Sequence, residues 1–227
     1  MKRAIVSLAT ERGNYYQGIA RLADSLKGKF SGNFLGFMGE ESIGAEKHLD
    51  NPYSFKLAAI NQARLMGYTS IMWLDSSVFA IRNVDHLFDI IECDGYLMQD
   101  SGNYLGNWCN DKSLSAFDVN RDQAMNYTMY GNAGLLGLNF LDPIALSFFD
   151  RWIIAMKMGL FKGAWDNSEH SESLDSRCKG HRHEMAVGSL IAWQLGMRYH
   201  AGDTILQYAS PETEPINETI CLFAAGM

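Results

Sequence analysis

The run Ile71-Met72-Trp73-Leu74, followed at once by Asp75, constrains the fold most. The run is too short for a helix, and it lacks the alternation of a strand with one wet face. It predicts a strand buried on both faces, the kind that parallel sheets contain. Ligands of open α/β sheets bind beyond the carboxyl ends of the strands, and Asp75 falls there. A carboxylate in that place suits a cation or a sugar hydroxyl. Asp is also common in turns, so Asp75 can equally close the strand.

The flanking residues extend the pattern. Val78 to Ile81 is a second apolar run, and Val84, Leu87, Phe88 and Ile91 then share a helical face. Upstream, Arg3 to Ala9 reads as a central strand, Thr10 to Asn14 as a loop, and Tyr15 to Lys27 as a helix closed by Gly28. This is the opening half of a nucleotide-binding βαβ unit, without the Gly-x-Gly-x-x-Gly of dinucleotide sites. Asn33 to Met38 predicts the second strand. Asn51-Pro52 predicts a helix start, with Asn as cap and Pro in the first turn, running to Met66 before Gly67. Lys56 would then lie in the first turn, where a cation opposes the helix dipole. That position points to an anion beside it, because helix N-termini bind phosphate. A solvated surface lysine is the alternative.

Trp73-Leu74-Asp75-Ser76-Ser77, followed by Asn83-Val84-Asp85-His86-Leu87-Phe88, resembles the GT-A glycosyltransferases, especially the family 8-like group. That group carries Asp-x-Asp, a short strand, and a polar-x-Asp-x-Leu-Phe segment. Asn132-Ala133-Gly134 before the apolar Leu135-Leu136-Gly137-Leu138 is similar to its Asn-x-Gly. The likeness runs in ordered pieces from residue 3 to about residue 200. It implies a single GT-A-like α/β domain over residues 1–227, with a central, mostly parallel sheet flanked by helices. It implies hexosyl transfer, with retention, from a nucleotide-diphosphate sugar such as a UDP-sugar to a hydroxyl acceptor such as a glycan.

By position, the resemblance gives Ala9, Thr10 and Tyr15 to the nucleoside and Lys56 to the diphosphate. It gives Asp75, Ser76, Ser77, Gly134 and His183 to the rest of the donor, and Glu184, Asp100 and Asn132 to the reacting sugar. Asn132 offers both a donor and an acceptor to hydroxyls, and Gly134 allows close backbone approach. A divalent cation, Mn²⁺ or Mg²⁺, would rest on Asp75, Ser77 and His200. The family's second Asp is Ser77 here, and a hydroxyl is a poorer ligand for these ions than a carboxylate. His200-Ala201-Gly202 matches the family's His-x-x-Gly imperfectly, and no Lys-Pro-Trp follows. A non-catalytic nucleotide-sugar or carbohydrate-binding protein of the same fold is therefore the alternative. A nucleotidyltransferase is disfavoured, because Thr10 to Asn14 has no glycine run.

The remaining chain is less periodic. Ser101 to Tyr130 predicts a functional loop, with Tyr104, Trp108 and Tyr127 as a sugar-stacking wall or as loop anchors. Asp142-Pro143 predicts a capped helix from Ile144 to Met158, with Phe148, Phe149, Trp152, Ile153 and Met156 buried. Gly163 to Gly180 is polar and expected to be mobile. Glu184 opens a helix with Val187, Leu190, Ile191 and Leu195 on one face, and Met197 to His200 predicts a strand. Cys178, His181 and His183 look like zinc ligands but lack a second pair. The formal charge of −7 excludes a general attraction to nucleic acid or anionic membrane. No apolar run is long enough to span a bilayer. Cys93, Cys109, Cys178 and Cys221, without an export signal, predict reduced thiols in a cytoplasmic protein.

Overall fold

The computed structural model describes residues 1–11, 13–131, 134–210 and 213–225. Its first half alternates strands and helices: β1 (Arg3–Ala9), α1 (Tyr15–Ser25), β2 (Asn33–Met38), α2 (Ser54–Leu65) and β3 (Ser70–Trp73). β1 runs parallel to β2 on one side and to β3 on the other. Along β1, Ala4, Val6 and Leu8 enter one apolar cluster and Ile5 enters the other. β3 repeats the division, with Ile71 and Trp73 on one face and Met72 on the other, where Leu74 follows it. Both faces are thus dry, as an unbroken apolar run requires.

The second half contributes β4 (Val78–Ala80), α3 (Asp85–Asp94), β5 (Tyr96–Met98), β6 (Asp100–Tyr104), α4 (Asp111–Ala116) and α5 (Arg121–Ala124). It continues with β7 (Thr128–Tyr130), β8 (Leu136–Asn139), α6 (Pro143–Lys157), α7 (His183–Gln194), β9 (Leu206–Ala209) and β10 (Leu222–Ala225). The main sheet has the order β2-β1-β3-β8-β5. β8 is antiparallel to both of its neighbours, so it runs against the other strands of that sheet. The result is a mixed α/β domain with a mostly parallel sheet between helices. A smaller sheet, β4-β10-β9, adjoins it. Buried Gln99 ties the two together: its amide donates to Leu206 O at 2.9 Å and accepts from the Ile205 and Leu206 N–H groups.

Several elements differ from the sequence expectation. α2 begins at Ser54, not at Pro52, and Tyr53 precedes it in the left-handed region at φ 60°. Asn51 and Pro52 lie in the preceding turn, and buried Asn51 Oδ1 has no hydrogen-bond partner, so it caps nothing. Residues 101–130 are a folded excursion rather than a loop. Leu105, Cys109, Leu114, Val119, Ala124 and Met129 build a core of their own beneath Ala186 and Leu190 of α7. Its helices are 6 and 4 residues long, too short to show a period, and side-chain caps start them. Asn110 accepts from Ser113 N and Asn120 from Gln123 N, each at 2.9 Å. Residues 163–180 form neither helix nor strand, yet buried Asn167 pins them. Its amide donates to Ser173 O and Cys178 O and accepts from Glu172 N and Ser173 N. Met197 to His200 is not a strand, and only His200 pairs, through a single bridge to Gln99. Asp142 does cap α6, accepting from Ile144 N and Ala145 N at 2.8 and 2.9 Å. The four cysteines are free thiols. Among the described residues no helix is long and apolar enough to cross a membrane.

Candidate functional site

The site is built where β3 ends. Leu74 N still bonds Val6 O at 3.0 Å, and Asp75 O then accepts from Val78 N at 2.9 Å, closing a tight turn. Asp75 therefore stands at the carboxyl end of a central strand. Two helices bring their first turns to the same point: α2 carries Lys56 there and α7 carries Glu184. Lys56 Nζ lies 3.1 Å from Asp75 Oδ1 and 2.8 Å from Glu184 Oε1. The Trp73 indole N–H donates to the same Asp75 oxygen at 2.7 Å. Gly134 passes directly over this pair with φ +68°, and a Cβ there would collide with Asp75 Oδ1 and come within 2.9 Å of Trp73 Nε1. Only glycine leaves the carboxylate its place. The Trp152 indole donates to Glu184 O at 3.0 Å and fixes the start of α7.

Lys56 and Glu184 are 5% and 6% exposed, so their charges are hardly solvated. Burial opposes the charge on Lys56, but Asp75 and Glu184 outweigh it and hold the ammonium well above its usual range. Burial also raises the Glu184 carboxyl, and Lys56 draws it back without cancelling the rise. The two partners shift the same way because two carboxylates overcome the burial of the one ammonium, whereas that one ammonium, shared with Asp75, does not overcome the burial of Glu184. A cation in the first turn of a helix is unfavourable by itself. Here protein carboxylates supply the anion that the position of Lys56 calls for.

This cluster forms part of the lining of a cavity of about 600 Å³, together with Asp100, Gly134, Trp165 and Arg182. A second cavity of about 450 Å³ is lined by Thr10, Tyr15, Ser76 and Ser77. Tyr53, Trp73, Asp75 and Tyr208 line both, so the two cavities are adjoining parts of one cleft.

The structure thus brings together Thr10, Tyr15, Ser76 and Ser77 in the smaller part and Lys56, Asp100, Gly134 and Glu184 in the larger, with Asp75 between them. The Asp100 carboxylate is oriented by Thr128 Oγ1 and Gly102 N, each donating at 2.7 Å. Ala9 lines neither part; it is buried, and its carbonyl accepts from Gly39 N at 2.8 Å. His183 lines neither part either. Its Nδ1 bonds Phe161 O at 2.9 Å and its ring packs beside Tyr53 and Trp165, at 5.5 and 5.2 Å between centroids. His200 is also outside both linings. Asn132 lies outside the described residues. Tyr127 packs against Trp193 with ring centres 4.0 Å apart and lines neither part, and Trp108 carries the Arg182 guanidinium. Tyr53, Arg182 and Tyr208 line the cleft without having been singled out by sequence. Arg182 and Tyr53 are each one or two residues from a helix start, and nothing in residue type marks them. Tyr208 arrives from the far end of the chain on β9, a placement only the tertiary fold supplies.

A site for the expected divalent cation would have to be built from these residues. Asp75 Oδ1 already receives the Lys56 ammonium and the Trp73 N–H. Ser77 brings a hydroxyl in place of a carboxylate, and His200 is not in the cleft lining. Among the described residues no three His, Cys, Asp or Glu side chains converge as ligands, the Cys178, His181 and His183 set included. His181 and His183 spend ring nitrogens on Leu160 O and Phe161 O. The donor set does not fit a resident Mn²⁺ or Mg²⁺, because Asp75 is the one carboxylate among the expected ligands and its Oδ1 is already engaged by the Lys56 ammonium and the Trp73 N–H.

No protein-family model matches this sequence, and no curated protein matches it. Solved structures match it by shape. A glycosyltransferase involved in the glycosylation of the major capsid of PBCV-1 aligns over 99% of this chain and 92% of its own, with TM-score 0.52 at 14% identity. This chain has that fold. Mouse xyloside xylosyltransferase 1, apo form, aligns over 92% of this chain and 88% of its own, with TM-score 0.49 and 11% identity.

Proposed function

We propose that this chain is a GT-A-type glycosyltransferase that moves a hexose from a nucleotide-diphosphate sugar, a UDP-hexose, to a hydroxyl of a glycan acceptor. One observation carries the reading: Lys56, Asp75 and Glu184 meet at the carboxyl end of β3, on the wall of a two-part cleft. The nucleoside is assigned to the smaller part, where Tyr15 and Tyr53 offer rings and Thr10 and Ser76 offer hydroxyls. The diphosphate then crosses at Asp75 and Tyr208, and the hexose enters the larger part.

In the transfer, the bond from the anomeric carbon to the phosphate oxygen breaks and its electron pair leaves with the diphosphate. Positive charge develops on the sugar, and the fixed carboxylates of Asp75 and Glu184 stabilise it in a dry setting. Lys56, whose charge is already paired with Asp75 and Glu184, donates its third N–H to the departing phosphate oxygen. The acceptor oxygen forms the new bond, and its proton passes to Glu184, whose raised affinity for protons suits a base. Retention of configuration is part of the proposal and is read from the product anomer by NMR.

The test is release of nucleoside diphosphate from a panel of sugar nucleotides. Glu184→Gln keeps the shape and removes the charge, so it should bind donor as the parent does and lose turnover by about 100-fold or more. Undiminished turnover would leave Glu184 only as a structural partner of Lys56. Ser77 in the place of an acidic residue favours a second reading, a non-catalytic binding protein. Nucleotide binding without turnover of any donor would decide for it.

A further inference from the structure

Two cations line the larger cavity among the described residues, Lys56 and Arg182, against the acids Asp75, Asp100, Glu184 and Asp203. Lys56 is spent on Asp75 and Glu184. Arg182 is not spent. It forms no ion pair with a carboxylate among the described residues. Its guanidinium carbon instead lies 3.7 Å from the ring centre of Trp108 and 4.0 Å from that of Trp165. Its backbone N–H is held by Trp108 O at 3.0 Å, and one guanidinium N–H reaches Trp165 O at 3.4 Å. A guanidinium has five N–H donors, so most of its capacity is open.

The geometry has a chemical meaning. Faces packed on indoles cannot hydrogen-bond, so the planar edge is what the group presents. The indoles also restrict the side chain, so little freedom remains to be lost when a ligand arrives. Partial burial without a counter-ion disfavours the charge, and an incoming anion relieves that penalty. An acid-lined cavity would otherwise repel an anion, which makes the one open cation the point of selection.

We infer that Arg182 is the anion-recognition residue of this cleft, its guanidinium edge receiving a phosphate or carboxylate group of the substrate. The inference rests on the donor reading above. The anion has two sources, the donor diphosphate or an acidic substituent on the transferred sugar or the acceptor.

Calorimetry on the parent, Arg182→Gln and Arg182→Lys separates them. The probes are UDP, UDP-glucose and UDP-glucuronate, then glucuronic acid and glucose 6-phosphate added with UDP present. Arg182→Gln should weaken at least one anionic probe by about ten- to a hundred-fold, the scale of a charge-assisted contact. Arg182→Lys should restore only part of it, because the fork is lost. Equal weakening of all three UDP compounds assigns the diphosphate. Weakening confined to UDP-glucuronate, glucuronic acid or glucose 6-phosphate assigns a sugar-side acid. Unchanged affinity for every probe overturns the inference. If Arg182→Gln does not fold, Arg182→Lys carries the test, and parent-like affinity for every probe overturns it in the same way. Failure of UDP to bind the parent falls on the donor reading instead, and the sugar acids still test Arg182.

Discussion

The inner wall of the cleft and its rim are built on different principles. On the inner wall, Trp73, Lys56 and Glu184 are 1%, 5% and 6% exposed, and ion pairs of Lys56 with Asp75 and Glu184, with the Trp73 N–H on Asp75, join two helices to a strand. At the rim, Tyr15, Trp165 and Tyr208 are 40%, 50% and 60% exposed, so much of each ring is open to solvent. Buried charges interact in a low dielectric and tolerate no missing partner. Exposed rings cost the fold little when removed, but a ligand that stacks on them feels the loss. The inner wall should therefore govern stability and chemistry together, while the rim should govern affinity alone.

The largest effect should come from Lys56→Met. It leaves Asp75 and Glu184 facing each other without a counter-ion, at a cost of about 3–5 kcal/mol in urea unfolding. Proton uptake by Glu184 limits that cost, so the variant should recover stability as pH falls. A loss under about 1 kcal/mol would mean that the cluster is solvated like a surface pair.

The next effect is acid sensitivity. His181 is fully buried, with Nε2 donating to Leu160 O at 2.9 Å and Nδ1 accepting from Asn110 N at 3.3 Å. Only the neutral ring satisfies both contacts, and burial lowers its pKa from 6.5 to about 4. Between those values the unfolded chain binds more protons than the folded one, so stability falls as pH falls. The contribution is complete above pH 6.5 and is lost toward pH 4, about 3 kcal/mol in all. Burial of His183 acts in the same direction, and Glu184 opposes it as it protonates. Unfolding measured at pH 7 and pH 4.5 should show the slope, and His181→Gln should flatten it. An equal slope in the variant would assign the acid sensitivity to other groups.

The smallest effect on the fold belongs to the rim. Tyr15→Ala should change stability by under about 0.5 kcal/mol, as exposed positions do. The same change should weaken UDP binding by about ten-fold, on the scale of base–aromatic stacking. Parent-like affinity would remove Tyr15 from the nucleoside site.

The inner wall was also the more legible of the two in sequence. Asp75 follows an apolar run whose two-sided burial fixes a central strand, so local pattern names it, while Glu184 precedes a helical face and is named only through the resemblance. Lys56 was found for a partly different reason than the fold supplies. The sequence placed it near an anion at a helix start, and the anions are Asp75 and Glu184, which meet it only in three dimensions. The start of α2 was misplaced because Asn51-Pro52 has the composition of a cap, while left-handed Tyr53 sets the boundary. Residues 101–130 and 163–182 resisted reading for another reason. Their order comes from side-chain bonds to backbone, such as those of Asn110 and Asn167, and these leave no period in the sequence. Trp165 and Arg182 come from the second of these stretches, so the wall that would select the sugar was the least visible.

The central claim is that the two-part cleft holds a nucleoside diphosphate sugar without a resident metal. Thermal unfolding of the parent protein with increasing UDP, in EDTA, tests it most directly. At about a hundred times its dissociation constant, UDP should add roughly 2.7 kcal/mol and raise the melting temperature accordingly. No rise with UDP or any sugar nucleotide at millimolar levels would contradict the site. A rise that appears only when Mn²⁺ or Mg²⁺ replaces EDTA would contradict binding without a resident metal.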